Sequence, residues 1–248
     1  MSRVLRELGL GPVWRLRDRP AETVAVPEAA PSSAVASPSP AVPVSVQVSA
    51  AADAGGDRAG VIATMGWDEL RSAVADCRTC VLGATRKQAV LGVGDVQADW
   101  LFVGEGPGAE EDERGEPFVG QAGKLLDAML AAIDLKRGEN VYIANTVKCR
   151  PPGNRTPEAE ETAACWPFLA RQIALIRPKL IVALGRPAAQ TLLQAEVKIG
   201  AARGQVFQHQ GIPLIVTYHP AYLLRNLPDK AKAWEDLCFM RKTMAGLA

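Results

Sequence analysis

The sequence predicts a three-layer α/β/α fold in which helices cover both faces of a central, mainly parallel sheet. Short apolar runs alternate with segments of helical periodicity from about Trp67 to the end of the chain, a pattern typical of parallel sheets. Several of these runs are apolar throughout, as in strands that are buried on both faces. Hydrophobic residues make up 48% and charged residues 22% of the chain, which is ordinary for a soluble globular domain.

The first half of this domain supplies two predicted strands and one predicted helix. Trp100–Val103 is an apolar run that stops at Gly104, which predicts a buried strand. Apolar side chains recur at helical spacing over 121–133, which predicts a helix. The apolar run Val141–Val147 predicts the second strand.

The second half continues the alternation. Thr156-Pro157 predicts a helix start, because threonine is a good N-cap and proline suits the first helical position. The later predicted elements are a strand over Lys179–Leu184, a short helix from Gly185, one or two strands over Val206–Gln208 and Leu214–Thr217, and a final helix from about Pro228 to Met244. His209 lies in the polar turn between the last strands and is predicted to be exposed.

Charge and hydropathy exclude several classes of protein. The 248-residue chain carries 28 Lys+Arg against 27 Asp+Glu, and its net charge of +1 rules out a globally basic nucleic-acid coat. No apolar run approaches the ~18 residues of a membrane helix, and the arginine-rich N-terminus does not resemble a secretory signal. We therefore expect a cytoplasmic, monomeric protein that has no membrane partner and whose cysteines do not form disulfides.

The N-terminal quarter differs from the rest in composition. Thirty of the forty residues in 21–60 are Ala, Pro, Ser or Val, and none is aromatic. Such a segment buries too little apolar area to offset its ordering entropy. We predict a disordered, Ala/Pro/Ser/Val-rich linker over 21–62 and the folded domain over 63–248. The stretch 1–20 mixes apolar residues with arginines, which predicts either a short docking peptide for an unknown protein partner or a frayed start.

Four cysteines are spaced as ligands of one metal centre. Cys77 and Cys80 form a CxxC pair ahead of the first strand, Cys149 follows the second strand, and Cys165 lies about two turns into the next helix. Four thiolates suffice for tetrahedral zinc or for an iron–sulfur cluster, and spacing does not distinguish the two. Unrelated buried cysteines are the remaining alternative. The fifth, Cys238, is predicted to be a small apolar residue in the core.

The loops after the first two strands carry groups that are able to face a ligand. The glycines of Gly104-Glu105-Gly106-Pro107-Gly108 let backbone amides approach a ligand closely. Their spacing is GxGxG and acidic residues follow, which disfavours a nucleotide-phosphate site. Phe118 lies in a tight loop, where it either packs in the core or faces the site. Asn145 lies within the second apolar strand, where a buried amide without a partner costs about 1–3 kcal/mol, so it is either satisfied structurally or aimed at a ligand.

The later loops add positive charge and a histidine. The stretch 146–157 contains three basic residues and no acid, which indicates either a solvated loop or a contact with phosphates. His219 lies at the end of the last strand and precedes a proline, where a histidine is either structural or functional.

Taken together, these segments resemble the family 4 uracil-DNA glycosylases. The resemblance rests on Gly104–Gly108, Glu116–Gly120, Asn145–Pro152 and His219–Arg225, and it covers about residues 67–245 in the family's order. It implies the fold of the uracil glycosylase superfamily and a DNA-repair enzyme that hydrolyses the N-glycosidic bond of uracil in DNA to leave an abasic site. It also implies that the four spaced cysteines hold a 4Fe–4S cluster, with zinc as the alternative.

The resemblance implies a role for each site residue. Phe118 would stack on the uracil ring, Asn145 would read its O4 and N3–H edge, and His219 would donate a hydrogen bond to the O2 of the leaving uracil. Backbone amides at Glu105 and Gly106 would contact the base. The Asp that positions water in the best-known uracil glycosylases is replaced by Gly106, so Glu105 is the candidate for that catalytic role.

Contacts with DNA are expected from the basic loop and from the loop after His219. The residues expected to make them are Lys148, Arg150, Arg155, Tyr222, Leu223, Leu224 and Arg225. One of Tyr222–Leu224 is expected either to wedge into the vacated base stack or to pack the start of the last helix. The alternative function is a non-catalytic iron–sulfur or zinc DNA-binding module of the same fold. On either reading we expect a cytoplasmic protein that associates with the nucleoid when it binds DNA.

Overall fold

The computed structural model of the chain describes residues 56–247. The predicted docking peptide over 1–20 and the predicted linker up to residue 55 lie outside the described residues. Helix α1 spans Gly56–Thr64 and buries Ile62, so the end of the predicted linker is helical and the folded domain begins earlier than predicted. Within the described part of the chain, no helix is long and apolar enough to cross a membrane.

Across residues 56–247, the strands form a single six-stranded sheet at the centre of the domain. The strands are Val93–Gly94 (β1), Trp100–Gly104 (β2), Val141–Asn145 (β3), Leu180–Leu184 (β4), Val206–His209 (β5) and Ile212–Thr217 (β6). Their order across the sheet is β1-β3-β2-β4-β6-β5. The four central strands are parallel, and the two edge strands are antiparallel to their neighbours. The prediction of a mainly parallel sheet is confirmed.

Helices cover both faces of this sheet. The other helices are Trp67–Asp76 (α2), Leu82–Thr85 (α3), Ala109–Arg114 (α4), Gln121–Ala131 (α5), Ala159–Ile176 (α6), Arg186–Leu193 (α7), Ile199–Ala202 (α8), Pro220–Arg225 (α9) and Lys230–Ala245 (α10). Helices α6, α7 and α8 pack on one face, and α5, α9 and α10 pack on the other. Alternate side chains of β2 contact the two layers: Leu101 and Val103 contact the first, and Trp100 and Phe102 contact the second. The three-layer prediction is confirmed.

Two predicted boundaries differ from the structure. The helix predicted to open at Thr156-Pro157 begins at Ala159, because Glu158 has an extended backbone and its N–H donates to the Glu161 carboxylate at 2.8 Å. The strand predicted over Val141–Val147 is β3, and it ends at Asn145 rather than at Val147.

Two side chains are buried differently from the prediction. His209 is buried rather than exposed: its Nδ1 lies 2.8 Å from the Leu192 carbonyl oxygen, and its ring lies edge-on to Trp166. Cys238 is exposed rather than in the core, because α10 turns Leu237 towards the sheet instead. In both cases burial depends on which distant helix covers the residue, and the local sequence pattern does not show that.

Candidate active site and metal centre

A cleft opens at the carboxyl ends of β2, β3, β4 and β6, where ligands bind in sheets of this kind. Its volume is about 1740 Å³, including its open mouth. Eight of the twelve residues expected to contact the base or the DNA line it: Glu105, Gly106, Phe118, Asn145, Arg155, His219, Tyr222 and Arg225. The parallel sheet therefore brings loops that are far apart in sequence to one site.

Asn145 ends β3 and pairs in register with Gly104 of β2. Its side chain is almost wholly buried. Among the described residues, its Oδ1 is the one buried side-chain polar atom that has no hydrogen-bond partner. An unpaired buried acceptor costs about 1–3 kcal/mol of stability. The amide is therefore arranged for a ligand that brings its own donor.

Phe118 forms part of the cleft wall, and its ring centre lies 5.5 Å from that of His219. The ring fits because residue 104 is glycine. A Cβ at Gly104 would lie 2.5 Å from Phe118 Cζ and 2.5 Å from Asn145 Oδ1. An aromatic ring and an unpaired amide oxygen thus lie next to each other around Gly104.

His219 follows β6 and forms the N-cap of α9. The Ala221 N–H donates to its Nδ1 at 3.1 Å, so the neutral ring carries its proton on Nε2. Burial lowers the pKa of His219 to about 4; the charge of Arg225 adds to this effect and that of Glu111 opposes it. Near neutral pH the side chain offers an Nε2–H donor and carries no charge.

Glu105 lies in the loop after β2. Burial raises the pKa of Glu105, and a hydrogen bond with Thr156 and the charge of Arg186 oppose the increase. Its main-chain carbonyl accepts from the Val147 amide at 3.2 Å, which ties this loop to the segment after β3. A carboxylate with a raised pKa is suited to orient water or to accept its proton.

Lys148 is buried, so the prediction that it contacts a DNA phosphate is wrong. Its side chain is 1% exposed, and its ammonium donates to the Asn145 carbonyl at 2.8 Å and to Gln172 Oε1 at 2.6 Å. The segment after β3 stays inside the domain, against α6. The ammonium there satisfies two internal acceptors and cannot reach a phosphate.

The three arginines that are also predicted to contact DNA differ in whether their charge is already paired within the protein. Arg225 lines the cleft, and Arg150 is half-buried and donates to Asn154 at 2.7 Å. Arg155 makes hydrogen bonds of 2.8 and 2.6 Å to Glu161, which lower the pKa of that carboxylate. The charge of Arg155 is therefore already paired within the protein.

The cleft also contains polar residues that the sequence analysis missed, namely Glu111, Asn154 and Arg186. A signal for Arg186 was available, since it lies two residues after β4, at a strand end where ligands bind. No comparable signal marked Glu111, which lies within the short helix α4.

The residues predicted to wedge into the base stack take three different positions. Leu223 is 1% exposed and packs with α5 and α10, so the prediction is wrong for this residue. Tyr222 lines the cleft, stacks on Tyr218 and donates to Asp229 at 2.6 Å. Leu224 is 40% exposed.

The four spaced cysteines line a second, smaller cavity. Cys77 and Cys80 follow α2, Cys149 follows β3, and Cys165 lies in α6. Nowhere in residues 56–247 are three His, Cys, Asp or Glu side chains close enough to ligate one metal ion.

Three of the four sulfur atoms accept a hydrogen bond from an arginine side chain or a main-chain N–H. Arg58 donates to Cys77 at 3.7 Å, Arg86 donates to Cys149 at 3.0 Å, and the Lys148 main chain donates to Cys165 at 3.2 Å. Such donors stabilise sulfur that carries negative charge.

Known proteins are similar to this chain in sequence. The family model described as the uracil DNA glycosylase superfamily matches residues 91–238. A type-4 uracil-DNA glycosylase of Thermotoga maritima is 48% identical over 161 residues, covering 64% of this chain and 83% of the relative. The corresponding protein of Archaeoglobus fulgidus is 47% identical over 165 residues, covering 63% and 82%. That of Pyrobaculum aerophilum is 42% identical over 182 residues, covering 70% and 92%. The chain therefore belongs to the uracil DNA glycosylase superfamily and, within it, to the type-4 uracil-DNA glycosylases.

Proposed function

We propose that this chain excises uracil from DNA in the cleft at the carboxyl ends of the central strands, by hydrolysing the N-glycosidic bond. Its membership of the type-4 uracil-DNA glycosylases supports this activity. The observation that carries the assignment to the cleft is the buried, unpartnered Oδ1 of Asn145 beside the ring of Phe118.

Asn145 recognises the base. Its Oδ1 accepts from uracil N3–H and its Nδ2 donates to O4. Cytosine presents an acceptor and a donor in the opposite order, and a site built for one hydrogen-bond pattern rejects the other strongly. Phe118 stacks on the face of the flipped base. Backbone amides at Glu105 and Gly106 complete the contacts.

His219 stabilises the leaving group. Cleavage of the glycosidic bond leaves negative charge on uracil, mainly near O2. The neutral imidazole donates from Nε2 to that oxygen, as a donor in an oxyanion hole does. We assign the positioning of the attacking water to Glu105, whose raised pKa suits a base.

We propose that Cys77, Cys80, Cys149 and Cys165 hold a 4Fe–4S cluster. Zinc binds sulfur at about 2.3 Å in a tetrahedron, which requires sulfurs less than about 4 Å apart. The four thiols share one cavity without converging on one ion, which favours the larger cluster. Held by these four thiolates, a cluster would tie the turn after α2 to α6 and to the segment after β3, and its role would be structural.

For contacts with the DNA backbone we propose Arg150 and Arg225 but not Arg155, whose charge is paired with Glu161, and we propose Leu224 or Tyr222 as the side chain that enters the base stack. The cleft location of Arg225 and the exposure of Leu224 support these assignments. Basic side chains hold phosphates, and apolar side chains that enter the stack replace a flipped base.

Asn145→Ala tests the function. We expect the wild type to convert an end-labelled oligonucleotide with one uracil to an alkali-labile product, and Asn145→Ala to do so at least about 100-fold more slowly, because the base loses both edge contacts. Binding of an uncleavable 2′-fluorodeoxyuridine oligonucleotide should change little, since phosphate contacts dominate affinity. A cluster-loaded wild type that binds DNA but cleaves no uracil substrate would instead favour the non-catalytic DNA-binding module.

Cys149→Ser tests the metal centre. We expect the wild type to be brown and to contain iron and sulfide. Cys149→Ser should lose most of both and melt at least about 5 °C lower, because the loops joined by the cluster are released. The exposed Cys238→Ser is the matched control and should behave as the wild type does. Zinc without iron in the wild type, or equal effects of the two substitutions, would contradict the assignment.

A further inference from the structure

Two charged side chains hold one backbone group in each of four consecutive residues of the loop around Phe118. The guanidinium of Arg137 donates to the carbonyl oxygens of Pro117 and Phe118 at 2.8 and 2.7 Å. The Glu111 carboxylate accepts from the N–H groups of the next two residues at 2.9 and 3.1 Å. The loop is therefore fixed through its main chain on both sides of the aromatic residue.

Arg137 acts on this loop from outside the cleft. It lies in the turn between α5 and β3, its side chain is 22% exposed, and it is not part of the cleft lining. Its Nε also donates to Asp127 of α5 at 2.9 Å. The guanidinium therefore joins the loop of Phe118 to the helix that follows it.

The backbone of Phe118 needs such support. Its φ is +56°, a conformation that non-glycine residues rarely adopt unless their surroundings impose it. The first turn of α5 packs directly against its carbonyl: a Cβ at Gly123 would lie 1.8 Å from Phe118 O. The backbone of Gly123 packs against one side of this carbonyl with no room for a side chain, and Arg137 donates a hydrogen bond to the carbonyl oxygen.

We propose that Arg137 is a positioning residue for uracil excision, which holds the Phe118 main chain in the left-handed conformation and thereby fixes the ring against which the base stacks. This inference rests on the proposed function. A misplacement of about 1 Å in the groups that hold a substrate costs up to about 100-fold in rate.

A double-mutant cycle tests this role. The single-turnover rate of uracil excision, the affinity for the 2′-fluorodeoxyuridine oligonucleotide and the melting temperature are measured for the wild type, Arg137→Met, Phe118→Ala and the double variant. We expect Arg137→Met to slow excision by about 10- to 100-fold in the wild-type background and by less than about 3-fold in the Phe118→Ala background, because Arg137 acts through that ring. The exposed Arg241→Met is the matched control and should keep wild-type rates.

Other results decide against the inference. Equal rate losses from Arg137→Met in the two backgrounds, or full activity of Arg137→Met, would overturn it. If Arg137→Met does not fold, Arg137→Lys replaces it in the cycle. Lysine reaches one carbonyl rather than two, and its smaller loss should likewise vanish beside Phe118→Ala. An inactive wild type overturns the proposed function, whereas an active wild type with an unaffected Arg137→Met overturns the role of Arg137 alone.

Discussion

Replacing Gly104 by alanine is expected to reduce the rate of uracil excision by at least about 100-fold, although the change adds a single methyl group. The new Cβ would lie 2.5 Å from both Asn145 Oδ1 and Phe118 Cζ. A Cβ does not come this close to heavy atoms to which it is not bonded, so the amide or the ring must move. Both groups contact the base in the proposed function, and either movement spoils its recognition.

Single-turnover excision with Gly104→Ala measures this effect, and Gly200→Ala is the matched control. Gly200 lies in helix α8, and a Cβ added there would have no heavy atom within 4 Å, so the same change should leave the rate unchanged. The melting temperature of Gly104→Ala shows whether the fold survives. Near wild-type excision by a folded Gly104→Ala would contradict the geometry assigned to Asn145 and Phe118.

Replacing His219 by leucine is expected to slow excision by about 10²- to 10³-fold, the usual loss when one oxyanion donor is removed. Leucine keeps the apolar contact with Phe118 but has no N–H for uracil O2. The substitution also removes the acceptor of the Ala221 N–H, so about 1 kcal/mol of stability should be lost with it. Binding of the uncleavable oligonucleotide should remain within a few fold of the wild type.

The pH dependence of excision provides a second check on His219. Because burial lowers its pKa to about 4, its Nε2–H is present and uncharged from neutral pH down to near that value. Plotted against pH, the excision rates of the wild type and of His219→Leu should therefore have the same shape near the ordinary histidine pKa of about 6.5. A step at which the rate rises as the pH falls would mean that the imidazolium acts in catalysis. A step at which the rate falls would mean that the neutral ring acts but that its pKa is not lowered by burial.

The central sheet was predictable because its signal is local. Every residue of Leu180–Leu184 is apolar and buried, and a continuous apolar run of this length needs no distant residue to identify it. The edge strand β1 escaped prediction because Val93–Gly94 is too short to show any period. The start of α6 was misplaced because Glu158, rather than Thr156, adopts the extended N-cap conformation.

The candidate site was predictable to the extent that it depends on strand ends. Asn145 lies near the end of a predicted strand and His219 follows one, and parallel strands bring their carboxyl ends to one edge of the sheet. Arg137 and Glu111 gave no such signal, since each acts through main-chain groups of a loop that is distant from it in sequence.

By itself, the sequence determined the class of fold, the order of the polar residues at the strand ends and the set of four cysteines, because these follow from local periodicity and from residue type. The tertiary structure alone decided which charged side chains are exposed to solvent and which are buried. Lys148 and Arg150 lie two residues apart in the same basic stretch, yet the first ammonium is enclosed by Gln172 of α6 and the Asn145 carbonyl while the second side chain is half-exposed. Burial of a charge depends on the partners that distant segments bring to it, and no local pattern contains them.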